Sequence, residues 1–313
     1  MQPKMNQPSI RGDSKDTSST QSPEHEIAKT NAEAKQNFPW TQLITAESGL
    51  MYPVALPPEN PARVPLRLED TNLALKQANV SALSNEEFAL IRRDGFGGSD
   101  SSVLLGVNPY TSKHEMLDQK ARTTLTQEEM ETGEQTAVIK GNDLEPLIIQ
   151  KFSKTFNLKT LKPTDMYTFR EYPYLTMNFD GIIDAGNKYF PAEIKVVTKK
   201  GERHYDPTKV VYSEHYGLQA LPQNYSITNN SWETKAALYG IPPYYYTQLQ
   251  AEIFAADAPF GFLATLWEAS WKLHVYFVWA DPACQNALIV EGFKAWQQVE
   301  RMRKERGLPM KFT

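Results

Sequence analysis

The stretch that decides the fold is Asp180-Gly181-Ile182-Ile183-Asp184, followed after a short break by Glu193-Ile194-Lys195. Residues 172–184 predict an extended strand, residues 185–188 a hairpin turn and residues 189–197 the returning strand. Aromatic and β-branched residues dominate both arms, whereas small and polar residues form the break between them. We therefore predict a β-hairpin that carries acidic residues on both of its strands.

Three charged side chains are expected to meet on this hairpin. Glu193 and Lys195 share one face of their strand because side chains alternate, and the neighbouring strand can bring Asp180 to the same place. Burying charge is costly unless it is paired or bound to metal. Two carboxylates form a Mg²⁺ site, since hard cations take oxygen ligands, and an ammonium can stabilise charge on a phosphate. These residues predict a metal-dependent phosphodiesterase, although a surface hairpin with a Glu–Lys salt bridge would have the same sequence.

The composition limits the classes of protein to which the chain can belong. Its 313 residues suffice for one large or two small domains, and 41% hydrophobic and 11% aromatic residues support a sizeable core. The single Cys284 excludes an internal disulfide and suits a reducing cytoplasm. Neither a membrane span nor an apolar signal core is expected. A net charge of −4 is not that of a DNA-coating protein, but a carboxylate site carries its positive charge in with the metal.

Three regions are expected along the chain. Residues 1–36 are polar and predict a disordered N-terminal tail. Residues 37–80 carry many prolines and predict an irregular arm that packs on the domain. Residues 81–313 predict the folded domain, whose first helix opens with a capping box formed by Ser84 and Glu87.

Two predicted helices carry polar residues toward the expected site. In the helix predicted over residues 141–156, Glu145 falls in the middle of the apolar arc, where a carboxylate needs a metal or a lysine as its partner. As a first-turn acid it could instead point outward. A second helix begins at Pro243 and carries Gln248, a candidate contact for metal-bound water or phosphate that could equally be an exposed glutamine.

A glycine-rich turn leads from Arg92 to Ser99 and into a short helix. Free N–H groups at a helix N-terminus bind anions such as phosphate; the alternative is that Ser99 or Asp100 caps the helix. Residues 267–280 predict a further strand, and Asp281-Pro282 opens the last helix. The order of elements predicts an α/β fold with a central mixed β-sheet flanked by helices.

Together these segments resemble the YqaJ-like viral recombinase and lambda-type alkaline exonuclease family, within the PD-(D/E)xK nuclease superfamily. The matching motifs lie between residues 84 and 300 and are Arg92…Gly97-Gly98-Ser99-Asp100…Leu105-Gly106, Asn108-Pro109-Tyr110, Gly141…Glu145…Phe152, Asp180-Gly181, Glu193-x-Lys195 and Tyr246-x-Gln248-x-Gln250. The resemblance implies a restriction-endonuclease-like core. The chain departs from the family in Phe179, which stands where the superfamily name has proline, and in a longer stretch at 201–235.

The resemblance also implies roles for particular residues. The catalytic residues implied are Asp180, Glu193, Lys195, Glu145 and Gln248. The metal ligands implied are Glu145, Asp180, Glu193 and the backbone carbonyl of Ile194, which would hold two Mg²⁺ ions, with Mn²⁺ as a substitute. Arg92 and Ser99, seven positions apart, would hold the 5′ phosphate of a DNA end.

The activity implied is 5′-to-3′ digestion of linear duplex DNA in the cytoplasm of a bacterial host, with the gene in a phage or prophage. The product would be a 3′ single strand for homologous recombination, with a single-strand annealing recombinase as partner and a homotrimer as the assembly. The alternatives are an endonuclease or a RecB-like nuclease on the same fold, and a non-catalytic DNA-binding module.

Overall fold

The computed structural model describes residues 68–127, 129, 136–156, 158–184, 189–219, 221–222 and 231–311, together with backbone strands at 42–45 and 51–54. The tail expected over 1–36, the turn expected at 185–188 and most of the arm expected over 37–80 lie outside these residues.

The strands are β1 (Gln42–Thr45), β2 (Met51–Val54), β3 (Leu73–Gln77), β4 (Thr160–Leu161), β5 (Met166–Phe169), β6 (Thr176–Met177), β7 (Ile182–Asp184), β8 (Tyr189–Val197), β9 (Tyr212–Ser213), β10 (Gly217–Leu218), β11 (Phe260–Trp267) and β12 (Lys272–Trp279). The α-helices are α1 (Asn85–Ile91), α2 (Ser101–Leu104), α3 (Lys113–Ala121), α4 (Thr136–Phe156), α5 (Trp232–Tyr239), α6 (Pro243–Ala255) and α7 (Pro282–Glu305).

A mixed sheet forms the centre of the fold, with the strand order β10-β9-β12-β11-β8-β7-β4. Strands β8 and β11 run parallel, whereas the other neighbouring strands are antiparallel. A smaller antiparallel sheet has the order β3-β5-β6. The predicted central mixed sheet flanked by helices is confirmed. In the described part of the chain, no helix is both long and apolar enough to cross a bilayer.

The predicted hairpin is present as β7 and β8. Strand β8 has the predicted bounds, whereas β7 is shorter than the predicted strand and begins after Asp180 and Gly181. The Gly181 carbonyl accepts the amide of Ala192, and a Cβ at Gly181 would lie 3.1 Å from the Ala192 oxygen. A side chain here would press on β8, so the glycine after Asp180 lets the two strands approach closely.

Helices α4 and α6 cover opposite faces of the central sheet. On one face, the Phe152 ring of α4 lies 5.5 Å from the Phe262 ring of β11. On the other face, a Cβ at Gly261 would lie 2.9 Å from Leu249 of α6, which shows how tightly that helix packs. Since Glu193 pairs in register with Leu263, two residues from Gly261, its side chain faces α6.

The sequence pattern did not predict β11. Residues 267–280 were expected to form one strand, but β12 begins at Lys272 and Trp267 ends β11. Strand β11 is buried along seven of its eight residues, so it lacks the alternation of polar and apolar residues that marks a half-buried strand. Between the two strands, Trp271 has a φ of 55°, a turn conformation that an aromatic residue rarely adopts.

The structure also differs from the prediction at the start of α4 and within the expected arm, and agrees with it at the start of α1. Helix α4 begins at Thr136 rather than near Gly141, and contains Pro146. Within the expected arm, Leu73–Gln77 forms β3 and pairs with β5; this segment follows the last proline of that region, so no missing N–H prevents its pairing. The capping box of Ser84 at the start of α1 is confirmed.

Candidate active site

A cluster of charged side chains lies where β7, β8 and α6 meet. The Oδ2 atom of Asp180 accepts the Ile194 amide at 3.2 Å and lies 3.3 Å from the Lys195 ammonium. Lys195 also forms an ion pair with Oε1 of Glu193. The hairpin therefore brings together the three residues that the sequence predicted to meet, and the predicted metal ligand Ile194 holds Asp180 through its backbone N–H.

Helix α6 adds two polar side chains to the same cluster. Gln248 donates through Nε2 to Glu193 Oε1 at 2.6 Å and to Glu252 Oε1 at 3.2 Å. The side chains of Glu193 and Glu252 also interact with each other, and this interaction raises the pKa of Glu252. The interpretation of Gln248 as an exposed surface glutamine is therefore wrong. We call Asp180, Glu193, Lys195, Gln248 and Glu252 the carboxylate–lysine cluster.

The cluster holds more negative charge than its lysine can balance. Burial, followed by the charge of Asp180, raises the pKa of Glu193 to about 7. Burial and the neighbouring Glu193 raise the pKa of Glu252 well above its ordinary value. Burial alone would lower the pKa of Lys195, but Asp180 and Glu193 raise it well above its usual range. Acids held in an environment that opposes their ionisation are typical of functional sites.

The donor chemistry of this cluster fits a hard divalent cation. Its ligands would be carboxylate oxygens, the type that Mg²⁺ prefers, and a cation would relieve the repulsion that raises the pKa of Glu193. Among the residues described, no group of three or more His, Cys, Asp or Glu side chains is arranged to hold a metal. The Lys195 ammonium contacts both Asp180 and Glu193 and is their counter-charge.

Glu145 of α4 lies in the same cleft but has a different partner. Its carboxylate pairs with Lys162 at 2.6 Å, and its side chain is 13% exposed. Burial, and then the charge of Asp180, raise the pKa of Glu145. Glu145 therefore points inward, as the apolar arc of its helix predicted. The charge of Asp180 raises its pKa, and Lys162 is the counter-charge of its carboxylate.

The structure brings the predicted phosphate-binding residues together as well. The guanidinium of Arg92 donates through Nη2 to the Ser99 hydroxyl at 2.6 Å. Ser99 is exposed and lies in a 3₁₀ turn before the short α2. Of the two residues that could cap the helix, Asp100 makes the capping hydrogen bond, since its carboxylate accepts the Gly97 amide at 2.7 Å. Ser99 therefore has no capping hydrogen bond to make and remains available to Arg92.

A buried ion pair anchors the loop of residues 92–100, which we call the Arg92 loop. The Lys120 ammonium of α3 lies 2.6 Å from Asp100 Oδ2 and donates to the carbonyls of Arg92 and Gly95, each at 2.8 Å. Although burial opposes ionisation of Asp100, Lys120 and Arg92 lower its pKa. Arg93, the neighbour of Arg92, is buried and binds Glu129 through both carboxylate oxygens, so of the two adjacent arginines only Arg92 reaches the cleft.

One cleft of about 640 Å³ joins the carboxylate–lysine cluster to the Arg92 loop. Asp180, Lys195 and Gln248 line it, as do Arg92 and Ser99. The cleft therefore joins a carboxylate site suited to a cation with an arginine–serine pair suited to an anion.

Sequence reasoning missed Glu252 and Lys120. Glu252 lies one helical turn after Gln248 on a helix whose other residues are mostly apolar, and this spacing was the available signal. Lys120 gave no signal, because its three oxygen partners belong to a loop that lies 20 to 28 residues earlier in the sequence.

Known proteins resemble this chain in sequence and, more weakly, in overall structure. A family model of the YqaJ-like viral recombinase domain matches residues 87–259, just over half of the chain. The uncharacterized protein YqaJ of Bacillus subtilis (strain 168) is 28% identical over 107 residues. That match covers 34% of this chain and 32% of the relative, so the chain spans about a third of the curated relative it matches.

Two solved structures cover most of the chain at low identity. The alkaline exonuclease LHK-Exo from Laribacter hongkongensis has a TM-score of 0.44 and 11% identity, covering 71% of this chain and 98% of its own. A phage-related exonuclease from Haemophilus somnus 129PT has a TM-score of 0.42 and 12% identity, covering 68% of this chain and 96% of its own. At TM-scores below 0.5, these likenesses do not identify a function.

Proposed function

Because this chain belongs to the YqaJ-like viral recombinase domain family, we propose that it is a metal-dependent deoxyribonuclease that digests linear duplex DNA from 5′ ends. The observation that carries the proposal is the carboxylate–lysine cluster, in which the Lys195 ammonium contacts both Asp180 and Glu193. A salt bridge that served only stability would not need the further buried carboxyl of Glu252, which raises the electrostatic cost of the site.

Asp180 and Glu193 would hold Mg²⁺ or Mn²⁺, with Glu145 and the Ile194 carbonyl completing two cation sites. When bound, the cations supply Lewis-acid stabilisation of the charge that develops on the phosphate. Gln248 orients Glu193 by donating to its Oε1 atom, and the Ile194 amide fixes Asp180. Lys195 would then be released from one carboxylate and could donate to the attacking water or to a phosphate oxygen.

Arg92 and Ser99 would bind the 5′ phosphate of the DNA end. A guanidinium offers a fork of donors that matches phosphate oxygens, and the Ser99 hydroxyl lies within hydrogen-bond reach of it. Anchoring the 5′ end at one side of the cleft would present a phosphodiester near that end to the carboxylate–lysine cluster. Digestion would then proceed from 5′ to 3′ and leave a 3′ single strand, the substrate of a single-strand annealing recombinase.

The decisive experiment digests three DNA substrates with the purified chain in Mg²⁺. The substrates are a 5′-phosphorylated linear duplex, the same duplex with 5′-hydroxyl ends, and a covalently closed circle. We expect rapid release of nucleotides from the phosphorylated duplex, slower release from the hydroxyl duplex, no cutting of the circle, and no activity in EDTA. Rapid cutting of the circle would indicate an endonuclease, and full activity in EDTA would exclude the metal.

Variants at the Arg92 loop separate the end-binding role from the metal site. Arg92→Ala should remove most of the preference for the 5′ phosphate while leaving Mg²⁺ binding unchanged, because Arg92 is not in contact with the carboxylates. The exposed Arg301 of α7 provides a matched control, and Arg301→Ala should keep the wild-type preference. An unchanged preference in Arg92→Ala would refute the assignment of the 5′ phosphate to this arginine.

A further inference from the structure

An exposed aromatic wall lies in the cleft beside the carboxylate–lysine cluster. Tyr110 and Tyr244 pack edge to face with ring centroids 5.8 Å apart, and Tyr244 packs on Tyr245 at 4.5 Å. The Lys195 ammonium lies 5.6 Å from the centre of the Tyr245 ring. The three rings therefore lead from the lysine of the cluster to the mouth of the cleft, and all three line the cleft.

Tyr110 is the exposed end of this wall. The residue is 77% exposed, so its ring is open to a ligand. The backbone beneath it is fixed, because Asn108 Oδ1 accepts the amides of both Tyr110 and Thr111 and its Nδ2 donates to Ser102. A ring held on a rigid loop loses little entropy when a flat ligand stacks on it.

The surroundings indicate what that flat ligand is. The cleft combines an arginine and a serine suited to phosphate with an aromatic face, and this combination is how proteins bind single-stranded nucleic acid without reading its sequence. A base inside a duplex is covered on both faces by its neighbours. At a blunt end only the outer face of the terminal base pair is open, whereas an unpaired base at a frayed or overhanging end is free to turn its face toward Tyr110.

We propose that Tyr110, supported by Tyr244, is a stacking platform for an unpaired nucleobase of the strand that enters the cleft. This inference rests on the proposed function and deepens it, since it adds a residue that favours opened ends over blunt ones. The platform recognises the flat face of any base, so it contributes to the choice of DNA structure and not of DNA sequence.

The test compares two duplexes that differ at one position. One duplex has a single unpaired 2-aminopurine at its 5′ end, and the other has an abasic residue at that position. Binding is measured by anisotropy in EDTA at one fixed salt concentration, because phosphate contacts vary with salt. Stacking on a base contributes about 1–3 kcal/mol, so Tyr110→Ala should weaken binding of the 2-aminopurine duplex by at least about fivefold.

Three further observations must accompany that loss. Binding of the abasic duplex should be the same in the wild type and in Tyr110→Ala. The fluorescence of 2-aminopurine should be quenched on binding to the wild type and not on binding to Tyr110→Ala. Tyr110→Phe, which keeps the ring and loses only the hydroxyl, should bind within about twofold of the wild type, because stacking needs only the ring.

A matched control is Tyr216→Ala, since Tyr216 is also exposed, at 58%, and does not line the cleft. It should bind both duplexes as the wild type does. The inference fails if Tyr110→Ala and Tyr216→Ala behave alike, if the loss is equal on the abasic duplex, or if Tyr110→Phe is as weak as Tyr110→Ala. Failure of the proposed function has a different signature, namely a wild type that digests no linear DNA in Mg²⁺; that result would remove the basis of this inference too.

Discussion

The carboxylate–lysine cluster and the anchor of the Arg92 loop both place a lysine among oxygen atoms, but their charges balance differently. Around Lys195 lie Asp180 and Glu193, with the buried carboxyl of Glu252 behind them. Around Lys120 lie the carboxylate of Asp100 and two backbone carbonyls. The carboxylate–lysine cluster has more acids than bases. In the loop anchor one lysine faces one carboxylate, and two backbone carbonyls accept the remaining hydrogen bonds of that lysine.

The pKa shifts of the acids express the same difference. The pKa of Glu193 is raised to about 7, chiefly by burial and the charge of Asp180, whereas Lys120 and Arg92 lower the pKa of Asp100 against the effect of burial. A raised pKa means that the fold opposes the charged form of the acid. In the loop anchor, burial lowers the pKa of Lys120, which partly offsets the favourable shift of Asp100. The anchor therefore positions Arg92 with a paired charge, whereas the acids of the cluster are held against their ionisation.

Removing a carboxylate from the cluster should give the largest effect on activity. In Asp180→Asn we expect DNA digestion to fall by about 100- to 1,000-fold, the range found when one electrostatic contributor to a transition state is lost. The melting temperature should stay the same or rise, because one of several repelling charges has gone. Digestion and thermal unfolding are measured on the same preparation, and a variant that loses activity only by unfolding would contradict the proposed role.

Removing the lysine of the loop anchor should give the largest effect on stability. Lys120→Met leaves Asp100 buried without its partner, and breaking such a pair costs about 3–5 kcal/mol of unfolding free energy. Denaturant unfolding measures this loss. The control is Lys294→Met, which breaks an ion pair whose lysine is 57% exposed and should cost about 0–1 kcal/mol; an equal loss in both variants would mean that the anchor contributes no more than a surface pair.

The pH dependence of stability should distinguish the cluster from the anchor. Without metal, the folded chain holds the Glu193 proton more tightly than the unfolded chain, because its pKa rises from 4.5 to about 7. The stability that Glu193 contributes is therefore complete below pH 4.5 and is lost as the pH rises through about 7. Glu193→Gln should show a smaller decline when unfolding is measured at pH 5 and pH 8 in EDTA, because only the raised pKa values of Glu252 and Glu145 then contribute. A decline of the same size in the variant would assign it to another group.

Titration of His274 should change the free energy of unfolding with pH by a smaller amount and in the opposite direction to Glu193. This contribution must be subtracted when unfolding at acidic and neutral pH is compared. Burial lowers the pKa of His274 from 6.5 to about 4, and its ring stacks on Trp267 at 4.2 Å. The folded chain binds this proton more weakly, so the stability is present above pH 6.5 and is lost as the pH falls toward 4. His274→Phe keeps a ring and should reduce the fall in the free energy of unfolding between pH 7 and pH 5. Unfolding curves at these two pH values measure it.

The sequence was sufficient where the signal was local. The hairpin with Asp180 and Glu193 follows from the alternation of side chains, and the inward direction of Glu145 follows from the period of its helix. Strand β11 was missed because burial on both faces removes the alternation on which a prediction depends. The anchor of the Arg92 loop was missed because Lys120 meets its partners only through the tertiary fold, and the aromatic wall because Tyr110 and Tyr244 are far apart in the sequence.

The most direct measurement is the heat of Mg²⁺ binding to the wild type, Asp180→Asn and Lys195→Met at pH 7.5. We predict binding to the wild type, loss of binding in Asp180→Asn because an oxygen ligand has gone, and retained binding in Lys195→Met because the lysine competes with the cation for the same carboxylates. If Lys195→Met binds the metal but digests DNA much more slowly than the wild type, the lysine acts in catalysis and not in metal binding. Equal binding by the wild type and Asp180→Asn, or no binding by the wild type, would contradict the assignment of the carboxylate–lysine cluster as a metal site.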